Sequence, residues 1–180
     1  MLKDLLEAAM ASEVAERREL VNVDSVVREA IARAHGVVES KGIEVVVGDL
    51  PPVEAAQQKI YHVFENLLSN ACKYVGDKPH PRIEVGGTET ATTVEYWVRD
   101  NGVGIDSTQL GRIFQMYHRA PDQVVAGQVQ QGHGIGLAVV KRIVQRYGGR
   151  ISVDSKPGEG ATFNVSFPRE TQEQEVRATA

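Results

Sequence analysis

One stretch decides the fold of this chain, the segment Phe64–Tyr74, which reads FENLLSNACKY. At roughly 100° per residue, its amide, ammonium and phenol groups share one side of a helix, and they belong to Asn66, Asn70, Lys73 and Tyr74. The neighbouring side is an apolar stripe of Ile60, Val63, Phe64, Leu67 and Ala71. The pattern predicts a helix with one face in a core. Its polar face suits a ligand with phosphates, a metal and a flat ring, or is simply solvated.

The composition favours a single cytoplasmic domain. A chain of 180 residues is long enough for a sizeable core, since a domain of about 150 residues buries roughly 70% of its unfolded surface. A net charge of -4 gives no electrostatic footprint for nucleic acid. The N-terminus lacks a signal-peptide pattern, and no apolar run approaches the ~20 residues of a membrane span. We therefore expect no nucleic-acid partner, no direct membrane contact and a cytoplasmic location, whether a larger parent is soluble or membrane-anchored.

Cys72 is the only cysteine in the chain. A single cysteine excludes a disulfide framework and any multi-thiolate zinc or iron–sulfur site. Its place near the edge of the apolar stripe favours a small buried hydrophobe over a nucleophile.

The remaining patterns predict a two-layer α/β sandwich. Residues 2–20 indicate a helix that needs a partner helix or packs on its own domain, and Val23-Asp24 offers an N-cap for a helix over 25–40. The further predicted elements are a strand over 43–47, the central helix over 54–75, strands over 82–86 and 92–100, a short helix ending near Met116, a helix over 135–147, and strands around 151–153 and 161–167. Residues 119–133 lack periodicity, as is typical of a lid. This order fits a mixed, largely antiparallel sheet with helices on one face.

A second candidate site follows the strand that ends at Asp100. The apolar alternation of that strand buries Asp100, and Gly102 and Gly104 follow at a spacing that lets backbone approach a ligand. A carboxylate there can accept a hydrogen bond from the exocyclic amine of adenine, whereas guanine presents an oxo group at that position. The same residues are typical of a plain Asp-Asn-Gly turn, so by themselves they leave both interpretations open.

A third pattern is the glycine-rich segment Gly132–Leu137, which opens a predicted helix. Backbone N–H groups and the positive end of the helix dipole favour a phosphate there. The glycine spacing differs from the dinucleotide-binding fingerprint, and no βαβ unit surrounds it. The sequence also contains no P-loop and no protein-kinase catalytic loop, so the predicted phosphate site is of another kind.

Together these motifs resemble the ATP-binding catalytic domain of two-component sensor histidine kinases. The stretches similar to its N, G1, F and G2 boxes are Asn66–Tyr74, Asp100–Ile105, Ile113–Ala120 and Gly132–Leu137. Their order and spacing agree over about residues 24–168, and four linked boxes are far more specific than any one of them. The resemblance implies the Bergerat fold, an α/β sandwich shared with gyrase, Hsp90-type chaperones and mismatch-repair ATPases.

The resemblance implies Mg·ATP as the ligand, with adenine at one end of the site. Asp100 would bind the adenine amine, and Tyr74 would meet the adenine ring. Gly102, Gly104 and Ile105 would shape the pocket around the base.

At the other end, the resemblance implies a phosphate and metal site. Asn70 would ligate Mg²⁺ through its amide oxygen, with Asn66 nearby, and Lys73 would meet the phosphates. Arg119 resembles the arginine that reaches the γ-phosphate, where a planar cation can stabilise charge in transfer, so Asn66, Lys73 and Arg119 are the implied catalytic residues. Backbone would be brought to the phosphates by Gly132, His133, Gly134, Ile135, Gly136 and Leu137.

Glu65 is not a candidate catalytic base. On the helical wheel it lies roughly 100–120° from the directions of Asn66 and Asn70. In the gyrase-like relatives, a water-activating Glu occupies the place that Asn66 holds here. The site therefore resembles one that holds ATP for transfer.

The implied function needs a histidine that this chain does not supply. A sensor kinase transfers the γ-phosphate to a histidine on a dimerisation domain, and the phosphate then passes to the receiver domain of a response regulator. None of the five histidines has the sequence context of that acceptor, so we expect the chain alone not to label itself. We expect a monomer or weak dimer for this chain, and a homodimer for a full-length kinase.

The resemblance also suggests the domain organisation. Residues 1–22 resemble the end of a dimerisation helix and its linker, 23–168 the ATP-binding catalytic domain, and 169–180 a flexible tail. Two alternatives share these boxes: a stand-alone anti-sigma kinase that phosphorylates serine, and a non-catalytic module that holds nucleotide to regulate a partner. The kinase-like linker argues against the first, and the intact Asn70, Lys73, Asp100 and Arg119 argue against the second.

Overall fold

The computed structural model describes residues 17–76, 78–115, 124–125, 128–129 and 134–169. Within these residues the helices are α1 Val23–Arg33, α2 His35–Ser40, α3 Gln57–Tyr74, α4 Ser107–Leu110 and α5 Gly136–Arg146. The strands are β1 Glu19–Val21, β2 Glu44–Val47, β3 Val53–Ala55, β4 Arg82–Glu89, β5 Thr93–Asp100, β6 Val124–Val125, β7 Gln128–Val129, β8 Arg150–Lys156 and β9 Gly160–Pro168.

A five-stranded sheet in the order β2-β4-β5-β9-β8 forms one layer. The pair β2 and β4 is parallel, and the other neighbours in this sheet are antiparallel. Two short turns explain much of this pairing, because the hairpins β4–β5 and β8–β9 place consecutive strands side by side. The predicted two-layer sandwich with a mixed, largely antiparallel sheet is confirmed.

The second layer consists of helices that pack on one face of the sheet. The apolar stripe predicted for α3 is buried, and Phe64 is 0% exposed. Its ring meets Tyr96 of β5 edge-on at 5.5 Å between centroids, and Tyr96 in turn meets Phe167 of β9 at 6.2 Å. Truncating such a ring to alanine typically costs about 3–5 kcal/mol of stability. The central helix is therefore fixed to the middle of the sheet.

The segment before α3 differs from its prediction. The helix expected over 54–75 begins at Gln57, because Val53–Ala55 forms β3 and pairs antiparallel with β1. Residues 19 and 20, predicted to end a helix over 2–20, lie in β1, and residues 1–16 are outside the described part of the chain. The chain ahead of α1 is thus attached to the segment before α3 by a two-stranded ladder.

The helix predicted over 25–40 is also different, since it is divided into α1 and α2 at Ala34. Gly36, a poor helix former, lies at the start of α2. The N-cap of α1 is Asn22, whose side chain accepts a hydrogen bond from the Ser25 amide at 3.0 Å, rather than Val23-Asp24. Asp24 instead forms a 2.7 Å ion pair with Arg28 along the helix.

Two smaller features complete the fold. Within the segment predicted as a lid, β6 and β7 pair antiparallel. Arg169, predicted to begin a flexible tail, donates to the Thr90 carbonyl at 3.2 Å and pairs with Glu89 at 3.0 Å. Among the described residues, no helix combines the length and apolar character needed to cross a membrane.

Candidate nucleotide site

The polar face of α3 ends against the loop that follows β5. The Val103 amide donates to the Tyr74 carbonyl at 3.0 Å. A Cβ on Gly102 would overlap the same carbonyl oxygen. A side chain at position 102 would therefore separate the loop from the end of the helix, so Gly102 is required by the protein backbone and not only by a ligand.

Asp100 lies at the base of this junction and is 5% exposed. Its carboxylate accepts a hydrogen bond from the Gly102 amide at 2.8 Å. Burial raises the pKa of Asp100, and the backbone amides of Gly102 and Ala161 oppose that rise. Among the described residues Asp100 is the one buried charged side chain, which makes it a functional-site candidate on physical grounds.

The turn between β8 and β9 supports the same loop from the other side. The Gly158 amide donates to the Val103 carbonyl at 2.7 Å, and the Ile105 amide donates to the Ser155 hydroxyl at 2.9 Å. Gly104 has φ +69°, and a Cβ there would overlap the Lys156 carbonyl. The loop 100–105 is therefore held between the end of α3 and the β8–β9 turn.

The start of α5 packs against the side chain of Asn66, the first residue of the polar face of α3. Asn66 donates through Nδ2 to the His62 carbonyl at 2.7 Å, and a Cβ on Gly136 would lie 2.5 Å from Asn66 Oδ1. Ile135, at the N-cap of α5, makes no side-chain capping hydrogen bond. The first-turn amides of α5 are thus available for an anion next to α3.

The rest of the polar face follows Asn66 along α3. Asn70 is half-buried one turn later, and its amide oxygen is a hard ligand of the kind that Mg²⁺ prefers. The Lys73 ammonium lies 4.9 Å from the centroid of the Tyr74 ring. Lys41 donates to the Cys72 carbonyl at 2.8 Å and to the Lys73 carbonyl at 3.3 Å, which caps the end of the helix.

The described residues thus bring three of the four motifs together. The N box contacts the G1 box through Tyr74 and Val103, and the G2 box through Asn66 and Gly136. From the F box, Phe114 packs edge-on against Phe163 at 6.5 Å. The site residues predicted at Arg119, Gly132 and His133 lie outside the described residues.

The structure shows that Glu65, which the sequence excluded as a catalytic base, has its contacts within α3. Its carboxylate lies 3.4 Å from the Tyr61 hydroxyl and 3.4 Å from His62 Nδ1, within its own helix. Sequence reasoning missed Lys41 and Ser155, whose side chains hydrogen-bond to backbone atoms around the site. The paired glycines Gly158 and Gly160 were a signal of close backbone approach, but they did not indicate which loop would be approached.

Comparisons with known proteins show the family to which the chain is similar. Residues 55–171 match the family described as "Histidine kinase-, DNA gyrase B-, and HSP90-like ATPase". The methanogenesis regulatory histidine kinase FilI of Methanothrix harundinacea is 35% identical over 170 residues, which are 93% of this chain and 18% of that protein.

Two solved structures share the fold. The mycobacterial sensor histidine kinase MprB aligns with a TM-score of 0.70 and 24% identity, over 84% of this chain and 97% of that one. Full-length ShkA, solved in complex with AMPPNP, aligns with a TM-score of 0.74 and 24% identity, over 93% of this chain and 35% of that one.

The chain belongs to the histidine kinase-, gyrase B- and HSP90-like ATPase family, because the family model matches more than half of its length. Its resemblance to the ATP-binding catalytic domain of histidine kinases is confirmed by the relatives. It spans about a fifth of the length of FilI and of the phytochrome-like protein Cph1 of Synechocystis.

Proposed function

We propose that this chain binds Mg·ATP and donates the γ-phosphoryl group to a histidine on a separate dimerisation domain. The observation that carries the proposal is the convergence of three motifs around the end of α3. The buried carboxylate of Asp100, the polar face of α3 and the uncapped start of α5 meet there. A carboxylate at one end and helix amides at the other suit a ligand with an amine at one end and phosphates at the other.

Adenine is the base that fits the Asp100 end. Asp100 Oδ1 already accepts from Gly102, and a carboxylate has several lone pairs, so it can accept a further hydrogen bond from the 6-amine. Tyr74 lies at the helix end beside this loop and would contact the ring. Gly102, Gly104 and Ile105 would hold the loop in place, and the loop would form the wall of the pocket around the base.

The phosphates fit the opposite end. Asn70 would hold Mg²⁺ through its amide oxygen, with Asn66 beside it, and the ion would neutralise phosphate charge when bound. Lys73, whose ammonium lies 4.9 Å from the centroid of the Tyr74 ring, would meet the phosphates, and Arg119 would stabilise the γ-phosphoryl group in transfer. The G2 segment would present its backbone amides, from Gly132, His133, Gly134, Ile135, Gly136 and Leu137.

The partners follow from the chemistry of the relatives. In this proposal residues 1–22 join the catalytic domain 23–168 to a dimerisation and phosphoacceptor domain, and 169–180 form a tail. The phosphoryl group would pass on to the receiver domain of a response regulator, in the cytoplasm. The full protein would be a homodimer, and this chain a monomer or weak dimer. The serine-kinase and regulatory-module alternatives are less well supported, because FilI and MprB are both named as histidine kinases.

Calorimetric titration tests the binding step. The wild type and the Asp100→Ala variant are each titrated with ATP and with GTP in the presence of Mg²⁺. Loss of a charge-assisted hydrogen bond of about 1.5–3 kcal/mol should lower the affinity for ATP roughly 10- to 150-fold. We expect ATP to bind and GTP to bind far more weakly. Equal binding of the two nucleotides, or unchanged ATP affinity in Asp100→Ala, would contradict the assigned role of Asp100.

Incubation with γ-labelled ATP tests the transfer step. We expect no acid-labile label on this chain alone, and labelling of an added dimerisation domain from a related histidine kinase. Stable label on the chain itself would overturn the proposal that the acceptor lies elsewhere. Arg119→Ala should abolish transfer to the added domain while ATP still binds.

A further inference from the structure

The hydroxyl of Ser155, at the end of β8, joins two loops that lie on either side of Asp100. Ser155 Oγ donates to the Gly160 carbonyl at 2.6 Å and accepts from the Ile105 amide at 2.9 Å. Both hydrogen bonds are partly buried. A hydroxyl can donate one and accept another, so a single side chain satisfies a carbonyl in one loop and an amide in the other.

These two loops are the ones that hold the Asp100 carboxylate. The Gly102 amide, which donates to this carboxylate at 2.8 Å, lies in the loop that Ser155 anchors at Ile105, and Ala161, which directly follows Gly160, pairs with Asp100 between β5 and β9. Gly160 has φ +87°, and a Cβ there would overlap the Asp100 carbonyl, so this turn lies directly against the backbone of Asp100. Each hydrogen bond of Ser155 therefore restrains one of the two segments that orient the carboxylate.

We propose that Ser155 is a positioning residue that aims the Asp100 carboxylate at the 6-position of the bound base. This inference rests on the proposed ATP binding and extends it, because it assigns base selectivity to a residue that does not touch the nucleotide. Without the hydroxyl, the Ile105 amide and the Gly160 carbonyl both lose their partner, and the loop 100–105 gains freedom relative to the β8–β9 turn. Recognition of the 6-amine depends on that geometry more than binding of the phosphates does.

A matched pair of substitutions isolates the hydroxyl. Ser155→Thr keeps it and Ser155→Val replaces it with a methyl group, while both side chains have the same shape and suit a strand. Ser155→Ala provides a third variant without added volume. Ser152→Val, at an exposed position of the same strand, controls for changes in β8 that do not reach the loop.

The measurement is the ratio of the affinities for ATP and inosine triphosphate, whose bases differ in the 6-substituent, amine or oxo, and in the hydrogen that N1 carries beside the oxo group. We expect the wild type and Ser155→Thr to prefer ATP, and the preference to fall roughly tenfold in Ser155→Val and Ser155→Ala. Ser152→Val should keep the wild-type ratio. If the role of Ser155 is purely structural, its loss would lower the melting temperature or reduce the affinities for both nucleotides equally. The ratio of the affinities would then be unchanged.

The possible failures are distinguishable. A wild type that binds no ATP overturns the proposed function, and this inference with it. A wild type that selects ATP, beside a Ser155→Val variant with an unchanged ratio, overturns this inference alone. Failure of both Ser155→Val and Ser155→Ala to fold would show that the hydroxyl serves the fold as a whole, and would also overturn it.

Discussion

The loop after β5 and the start of α5 both contain glycines, yet the atoms that require those glycines differ. At Gly102 and Gly104 a Cβ would overlap main-chain carbonyls, those of Tyr74 and Lys156. At Gly136 the nearest atom is the side-chain oxygen of Asn66, at 2.5 Å. The first loop is therefore fixed by backbone packing, which cannot move without shifting a helix or a strand. The second contact involves a side chain that can rotate, so the same residue type should tolerate substitution differently at the two places.

The largest expected effect is that of Gly104→Ala. The left-handed backbone at φ +69° costs about 1–2 kcal/mol for a residue with a Cβ, and overlap with the Lys156 carbonyl adds to it. We expect a loss of about 3 kcal/mol or more in the free energy of unfolding, measured by urea denaturation. Gly111→Ala is the matched control, because a Cβ there meets nothing within 4 Å. Equal stability of the two variants would show that backbone packing does not require the glycine at position 104.

Asp100→Asn should separate stability from binding within the first loop. Its raised folded-state pKa means that the contribution of Asp100 to stability is present below the unfolded value and is lost as the pH rises through the folded value. At pH 7 the wild type therefore carries the cost of a buried charge that the neutral amide avoids. We expect the variant to have the higher melting temperature at pH 7, with a gap that closes as the pH approaches 4.

The same Asp100→Asn substitution should lower the affinity for ATP roughly 10- to 150-fold, because the amide N–H of asparagine and the 6-amine of adenine are both hydrogen-bond donors. A stability gap that stays constant between pH 7 and pH 4 would contradict the assignment of the raised pKa to this carboxylate.

Gly136→Ala should change ATP affinity more than it changes stability. Alanine is favoured over glycine within a helix by about 0.8–1 kcal/mol, which offsets part of the contact with Asn66. We expect a near-neutral change in melting temperature and a several-fold loss of ATP affinity as the Asn66 amide is displaced. In an Asn66→Ala background the added methyl group should stabilise the protein, because the contact no longer exists. Equal destabilisation in both backgrounds would show that backbone, and not Asn66, requires this glycine.

The smallest expected effect is that of Lys41→Met, which removes the cation at the end of α3 and keeps most of the apolar stem. Interactions of a cation with a helix C-terminus are worth about 0.3–1 kcal/mol. Hydrogen exchange should accelerate at the last-turn amides of α3, around Lys73, with little change in melting temperature. Unchanged exchange would mean that the hydrogen bond from Val103 to the Tyr74 carbonyl suffices to hold the helix end.

Much of the fold could be predicted because its signals are local and repeated. The apolar stripe of α3 and the alternation of β5 are visible in single segments, and both are buried as expected. The pair β1 and β3 was missed because each strand has only three residues, too few for a period to show, and their pairing depends on contacts across more than thirty positions. The division of α1 from α2 was missed since apolar spacing continues across the break at Ala34.

The sequence by itself determined the chemistry of the site: the buried carboxylate, the amide face of α3 and the glycines, because each depends on residue type and short spacing. Only the tertiary structure decided which atoms those glycines approach and which residues orient Asp100. Ser155 is 55 positions after Asp100, and its hydroxyl acquires a role only where the β8–β9 turn meets the loop after β5. Such contacts join segments far apart in the chain, and no local pattern encodes them.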